Sequence, residues 1–138
     1  MKNFIILRGV SGSGKTTVAS FIEELALGSF GRCTIATADD YFMKDGVYKF
    51  NKFGLGKAHE TCKRKVETAM SFNVPVVVLA NTNTTEKDFK PYIELAEKYK
   101  YKIISLVVEN RHGNKNIHDV PEETLIKQAE KLKGSLKL

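Results

Sequence analysis

Gly9-Val-Ser-Gly-Ser-Gly-Lys-Thr16 is the stretch that decides the fold. It satisfies GxxxxGK[ST], and it lies between an apolar run, Phe4 to Leu7, and the residues Val18, Phe21, Ile22 and Leu25 at helical spacing. Strand, glycine-rich loop and helix in that order make a phosphate cradle. Gly9, Val10, Ser11, Gly12, Ser13 and Gly14 supply backbone N–H groups that curl around phosphate oxygens, and the helix N-terminus adds the positive end of its dipole. Lys15 is placed to reach β- and γ-phosphates, and Thr16 to offer its hydroxyl to Mg²⁺. From average residue frequencies a chance match has a probability on the order of half a percent, so the motif is read as a nucleotide site.

Outward from the loop the alternation continues. Thr34 to Ala38 reads as a second strand, and Cys62, Val66, Ala69 and Met70 mark one face of a second helix. Pro75 to Ala80 is unbroken apolar sequence, as expected of a strand covered on both faces. Phe89, Tyr92, Ile93 and Ala96 form a third helical face, and Lys102 to Val108 a fourth strand. A last helix is expected from Asp119 as N-cap, with Pro121 in the first turn, Glu122 in the capping-box position, and a stripe of Leu125, Ile126, Ala129 and Leu132. Strands alternating with helices imply parallel strands and right-handed crossovers, hence a three-layer α/β domain. Two segments, Tyr41 to Gly56 and Glu109 to His118, resist assignment to either class.

The chain has 138 residues, the size of one domain, and residues 1–138 are read as such. Twenty-two Lys plus Arg against sixteen Asp plus Glu give +6, a sign that favours anionic partners. Cys33 and Cys62 stand far apart, so neither a disulfide framework nor a zinc site is encoded, and a reducing compartment fits best. The N-terminus lacks the apolar stretch and cleavage site of a signal peptide, and no apolar run approaches bilayer length. The expectation is a soluble, cytoplasmic chain with no membrane partner.

The motif alone names no reaction, because many enzymes share it. A GTPase is disfavoured because Asn114-Lys115-Asn116-Ile117 lacks a guanine-reading carboxylate, and a motor or AAA-type machine is disfavoured by length. Asp39 and Asp40 are expected to close the second strand at its carboxyl edge. There Asp39 could accept the proton of an attacking hydroxyl, and Asp40 could bind substrate or cap a turn. The third strand runs into Asn81-Thr82-Asn83-Thr84, where Asn81 could hold a metal-bound water or a substrate oxygen, or where Thr84 could cap the next helix with Lys87 at the third position. Arg111 and Lys115, in a Gly- and Asn-rich segment, read as cations of a mobile lid, and the Arg could stabilise charge on a transferring phosphoryl. Tyr41 to Lys65 carries seven Lys or Arg against Asp45 and Glu60, together with five of the thirteen aromatics. Phe42 and its aromatic neighbours are either stacking platforms for single-stranded nucleic acid or anchors of a long loop.

With these segments quoted, the chain resembles the kinase domain of the polynucleotide 5′-hydroxyl kinase family, and the related P-loop domain of 2′,3′-cyclic nucleotide phosphodiesterases. The likeness rests on the loop, on Asp39-Asp40-Tyr41, on Leu55 with Ala58-His59 and Cys62, on Asn81-Thr82-Asn83, and on Arg111 through Asp119-Val120-Pro121. The resemblance implies ATP and Mg²⁺ at Lys15 and Thr16, Asp39 as general base, Thr82 near the acceptor phosphate, and Arg111 and Lys115 as lid cations. It also implies a parallel sheet of order 2-3-1-4, a 5′-hydroxyl end of RNA or DNA as acceptor, and separate phosphatase or ligase partners for any end-healing role. Two positions depart from the family: Phe42 stands where phage enzymes carry an acceptor-gripping Arg, and Asn81 where many members have Asp. The rival readings are a small-molecule kinase and a non-catalytic ATP-binding module.

Overall fold

The structure, a computed structural model, describes residues 1–109 and 120–136. Its elements run β1 (Asn3–Arg8), α1 (Lys15–Phe30), β2 (Cys33–Ala36), β3 (Met43–Lys44), β4 (Val47–Tyr48), α2 (Leu55–Ser71), β5 (Val76–Leu79), α3 (Glu86–Lys98), β6 (Lys102–Val107) and α4 (Glu122–Ser135). Four strands form one parallel sheet in the order β2-β5-β1-β6, which is 2-3-1-4 counted among those strands alone. In register, Ile5 of β1 lies opposite Val78 of β5 and Ile104 of β6. β5 has a strand on each side and every residue buried, which is why its sequence shows no alternation.

Alternate residues feed two cores. Phe4, Ile6, Val77 and Leu79 pack beneath α2 and α3, against Cys62, Val66, Met70, Phe89, Tyr92 and Ala96. Leu7, Val76, Val78 and Ala80 face the other way, against α1. The contact from α1 is made by Ala19 and Ala26, flanked by Val18 and Ile22. Phe21 and Leu25, expected on that buried face, are 61% and 57% exposed. Alanines let the helix axis approach the sheet closely, and that seam leaves the two larger side chains rotated outward.

Several boundaries also move. β2 stops at Ala36, so Asp39 and Asp40 do not close a strand. They sit on a 3-10 turn, Ala38–Phe42, capped by Thr37, whose hydroxyl accepts from Asp39 N–H at 3.2 Å. The unassigned segment after it holds an antiparallel hairpin, Met43 opposite Tyr48 and Lys44 opposite Val47. Its two-residue turn, Asp45-Gly46, has positive φ at both positions, 52° and 78°, as a primed turn requires. α3 is capped by Thr85 rather than Thr84, with Asp88 rather than Lys87 at the third position; the Asp88 carboxylate accepts from the Thr85 N–H at 3.2 Å and completes a capping box. α4 begins at Glu122 with Pro121 as its cap, two residues past the expected cap Asp119, which lies outside the described residues. Pro121 is extended at ψ 143° and offers its carbonyl to Thr124 and Leu125 N–H. Of the expected α4 stripe only Leu132 is buried. Among the described residues no helix is long and apolar enough to cross a membrane.

Candidate active site at the carboxyl edge

The loop from Gly9 to Gly14 leaves β1 at the edge where all four parallel strands end. Gly9 is required by space: a Cβ there falls 2.5 Å from the Val108 carbonyl oxygen and 2.6 Å from Ser13 Oγ. Gly12 and Gly14 take left-handed backbone, φ 79° and 107°, and Gly14 caps α1 without any side-chain hydrogen bond. The first N–H groups of α1 are thus left to an external anion. Gly9 N–H donates to Thr82 O at 3.0 Å, which ties the loop to the segment leaving β5.

Lys15 is 9% exposed and donates through Nζ to Gly9 O at 2.9 Å and Val10 O at 2.8 Å. Burial lowers its pKa from 10.5 to about 8, and the nearby charge of Asp39 opposes that fall. A buried ammonium held by carbonyls alone, above a helix N-terminus, is chemically fitted to a polyphosphate. Thr16 follows in the first turn of α1 and is exposed, as a hydroxyl must be to reach a phosphate-bound cation. Among the described residues no group of three His, Cys, Asp or Glu side chains is placed to hold a metal by itself.

The paired acids separate. Asp39 is half-buried, is felt by Lys15, and accepts from the Tyr48 hydroxyl at 3.3 Å. Burial, then Asp39, pushes the Tyr48 phenol up to about 12, which keeps it a donor. Asp40 is exposed and pairs with Lys65 of α2 at 3.7 Å. Asn81 Oδ1 accepts from Ala38 N–H at 2.8 Å, and its amide nitrogen faces Cys62 Sγ at 3.7 Å. The Asn81 amide therefore fastens the 3-10 turn that carries Asp39 to the end of β5. Thr82 is half-buried beside it and joins the floor of a cavity of about 460 Å³ between α2 and α3.

Phe42, weighed as a stacking platform or an anchor, is the anchor. It is 4% exposed and enclosed by the rings of Tyr41, Tyr48 and Phe50, with centroids 5.4, 6.2 and 5.1 Å away. A ring so enclosed has no face to offer a base, which corrects its assignment to substrate binding. Arg111 and Lys115 lie outside the described residues.

Four supporting residues have no role assigned to them from the sequence. Arg8 is 6% exposed, stacks 4.7 Å over Phe89, and donates to Asn83 O at 2.8 Å. Asn83, at φ 47°, donates through its amide to Leu7 O and Asn81 O at 2.9 and 3.0 Å. Together they fix the exits of β1 and β5 against each other. The signal for Arg8 was a charge ending an apolar strand immediately before the loop. Tyr48 and Gln128 gave no such signal; Gln128 of α4 accepts from Ser11 N–H at 2.9 Å.

Comparison with known proteins agrees with this geometry. Residues 4–133 match the AAA domain family AAA_33, the class of name that length had counted against. Human NEDD4-binding protein 2 is 30% identical over 133 residues, 91% of this chain, and the chain spans 7% of that protein's length. A chain of the Pnkp1/Rnl/Hen1 RNA repair complex is similar over 97% of this chain and 45% of its own, with a TM-score of 0.71 and 18% identity. The Mycobacterium tuberculosis APS kinase CysC in complex with AMPPNP and APS matches over 78% of this chain and 62% of its own, with a TM-score of 0.56 and 13% identity. At those identities the two structures speak for the fold, that of P-loop kinases. The chain belongs to the AAA_33 family of AAA domains and has the fold of P-loop kinases.

Proposed function

We propose that this chain is an ATP-dependent phosphotransferase that acts on the 5′-hydroxyl of RNA or DNA. The observation that carries the reading is the pairing of a buried phosphate-loop cation, Lys15, with a half-buried carboxylate, Asp39, held across from it by Asn81 and Tyr48. Lys15 and the N–H groups at the N-terminus of α1 bind the β- and γ-phosphates of ATP. Mg²⁺, held by phosphate oxygens and the Thr16 hydroxyl, supplies neutralisation of phosphate charge when bound. Asp39 accepts the proton of the acceptor hydroxyl as the new O–P bond forms and the bond from the γ-phosphorus to the β,γ-bridging oxygen breaks, so that ADP leaves. Arg111 and Lys115 serve as further cations for the phosphates, the role that the family resemblance implies for them.

Acceptor identity is supported by the fold likeness to a chain of the RNA repair complex and by the +5 balance of Tyr41 to Lys65. The similar chain's place in an RNA repair complex supports separate end-processing partners for this protein as well. The test is a γ-labelled ATP transfer screen across 5′-hydroxyl RNA, 5′-hydroxyl DNA, nucleosides and small alcohols. Transfer to the oligonucleotides supports the reading, and transfer confined to small alcohols overturns the acceptor. A second reading, ATP binding without transfer, is favoured by the neutral Asn81 at the end of β5. It predicts tight ATP binding and no labelled product from any acceptor.

A further inference from the structure

β6 is the outer strand of the sheet on one side. Lys102 N–H donates to Lys2 O at 2.9 Å and Val108 N–H to Arg8 O at 2.7 Å, so the even-numbered residues from 102 to 108 turn their backbone groups toward β1. Ile103, Ser105 and Val107 therefore turn theirs outward, and among the described residues nothing bonds to them. The side chains leave the strand open as well: Leu106 and Val107, on opposite faces, are 41% and 43% exposed, and Ser105 is exposed. An apolar edge of six residues in this state is a template for another strand. The opposite edge, β2, is four residues long and offers only Cys33 and Ile35 outward, because Ala36 O takes the N–H of Ala80.

The β6 edge is complementary to itself. With Ser105 of one copy opposite Ser105 of a second, antiparallel copy, Ile103 meets Val107, and every outward residue faces an outward residue with which it exchanges two hydrogen bonds. Between these pairs Ile104 meets Leu106, so apolar pairs form on both faces of the sheet. A shift by one residue sets outward groups against groups already bonded to β1. A shift by two brings Ile103 opposite Glu109, or calls on the N–H of Tyr101, which is given to Ala96 O at 2.8 Å. The antiparallel direction also lays Lys102, at the start of one strand, beside the end of the other, where Glu109 follows. Parallel pairing would set like charges together.

We propose that two copies of this chain pair through β6 about a two-fold axis at Ser105, joining their four-stranded sheets into one. The proposal does not depend on the phosphotransferase reading. Because the paired strands run in opposite directions, the two carboxyl edges lie at opposite ends of the joined sheet and each phosphate loop stays open. One strand edge a side is a small interface, so the dissociation constant should be on the order of 10 to 100 µM.

Sedimentation equilibrium of the full chain, from about 1 to about 500 µM, should show the mass rising from 15.5 kDa toward twice that value. Val107→Lys charges the edge, and Ser105→Pro removes one outward N–H and no bond to β1. Each should weaken the dimer at least ten-fold, with urea unfolding showing that the fold is kept; Val107→Lys carries this arm if the proline variant does not fold. Under mild oxidation Ser105→Cys, on the axis, should form an intermolecular disulfide at least ten-fold faster than Leu106→Cys, whose two copies lie out of register, with the wild-type protein as the background of Cys33 and Cys62. In hydrogen exchange the amides of Ile103, Ser105 and Val107 should exchange freely in dilute protein and become protected as concentration rises. A mass of 15.5 kDa throughout overturns the proposal, as does a dimer untouched by both edge variants. Equal cross-linking of the two cysteine variants refutes the two-fold register and the proposal with it. Protection of the three amides already in the dilute monomer shows that another stretch of the polypeptide holds the edge, which also overturns it.

Discussion

Lys15 carries a measurable penalty in the protein without nucleotide, and Lys15→Met exposes it. The fall of its pKa from 10.5 to about 8 corresponds, at about 1.4 kcal/mol per pH unit, to about 3 kcal/mol of destabilisation at pH 7. The substitution removes that penalty but leaves Gly9 O and Val10 O without their donor, at about 1 kcal/mol each, so the variant should be about 1 kcal/mol more stable at pH 7. The pH dependence is the cleaner quantity. Because the folded value lies below the unfolded one, the unfolded chain binds more protons between about pH 8 and 10.5, and stability gained from this site rises with pH across that window. Urea unfolding of both proteins at pH 7 and pH 9 should show the advantage of the variant shrinking by about 1 kcal/mol. A bound polyphosphate returns the Lys15 pKa upward, so ATP binding at pH 8 should take up about half a proton, visible in calorimetry in buffers of different ionisation enthalpy. A difference between the two proteins that is constant or grows with pH refutes the reasoning, as does ATP binding without proton uptake.

The remaining predictions concern the acid, its fastening and the hairpin. Asp39→Asn should lower kcat by roughly 10²- to 10⁴-fold with ATP affinity nearly intact, and Asp40→Asn, which loses only an exposed pair with Lys65, should cost far less; steady-state kinetics decide the order. Asn81→Ala frees the Ala38 N–H and should lower kcat at least ten-fold while KM for ATP holds, whereas Asn81→Asp keeps an acceptor at that atom and should retain most of the activity. Phe42→Ala should cost about 3 kcal/mol in thermal or urea unfolding, the scale of a lost core aromatic, and oligonucleotide affinity should change only through that loss. Reversing the exposed Lys49 and Lys52 to Glu should flatten the dependence of log K on log salt, by about 0.7 for each phosphate contact removed on single strands.

What was legible in the sequence was local and periodic. The phosphate loop has its chemistry written into adjacent residues, and the unbroken run of Val76 to Leu79 announces a central strand because both its faces are covered. The sheet order was legible only through family resemblance, since which strand lies beside which is a nonlocal matter of crossovers. Asp39 was found at the right edge, but its seat on a 3-10 turn depended on the hydroxyl of Thr37 and on Asn81, forty-three residues along the chain from the Ala38 N–H that it accepts from. Asn81 was read as a group facing metal or substrate, and its carbonyl oxygen instead faces the Ala38 N–H. Composition could not divide Phe42 between platform and anchor, because the choice depends on a hairpin whose Asp45-Gly46 turn brings Tyr48 and Phe50 back onto it. On α1, the larger residues Phe21 and Leu25 drew the eye, yet the buried seam was made by Ala19 and Ala26, where closeness of approach outweighs side-chain size.

The most direct test of the central claim is single-turnover transfer from γ-labelled ATP to a 5′-hydroxyl RNA oligonucleotide, run with the wild-type protein and with Asp39→Asn. The account predicts label at the 5′ end of the RNA, removable by phosphatase, at a rate at least 10²-fold higher for the wild-type protein, with both proteins binding ATP alike. Label that never reaches the RNA although ATP binds, or equal rates from the two proteins, contradicts it.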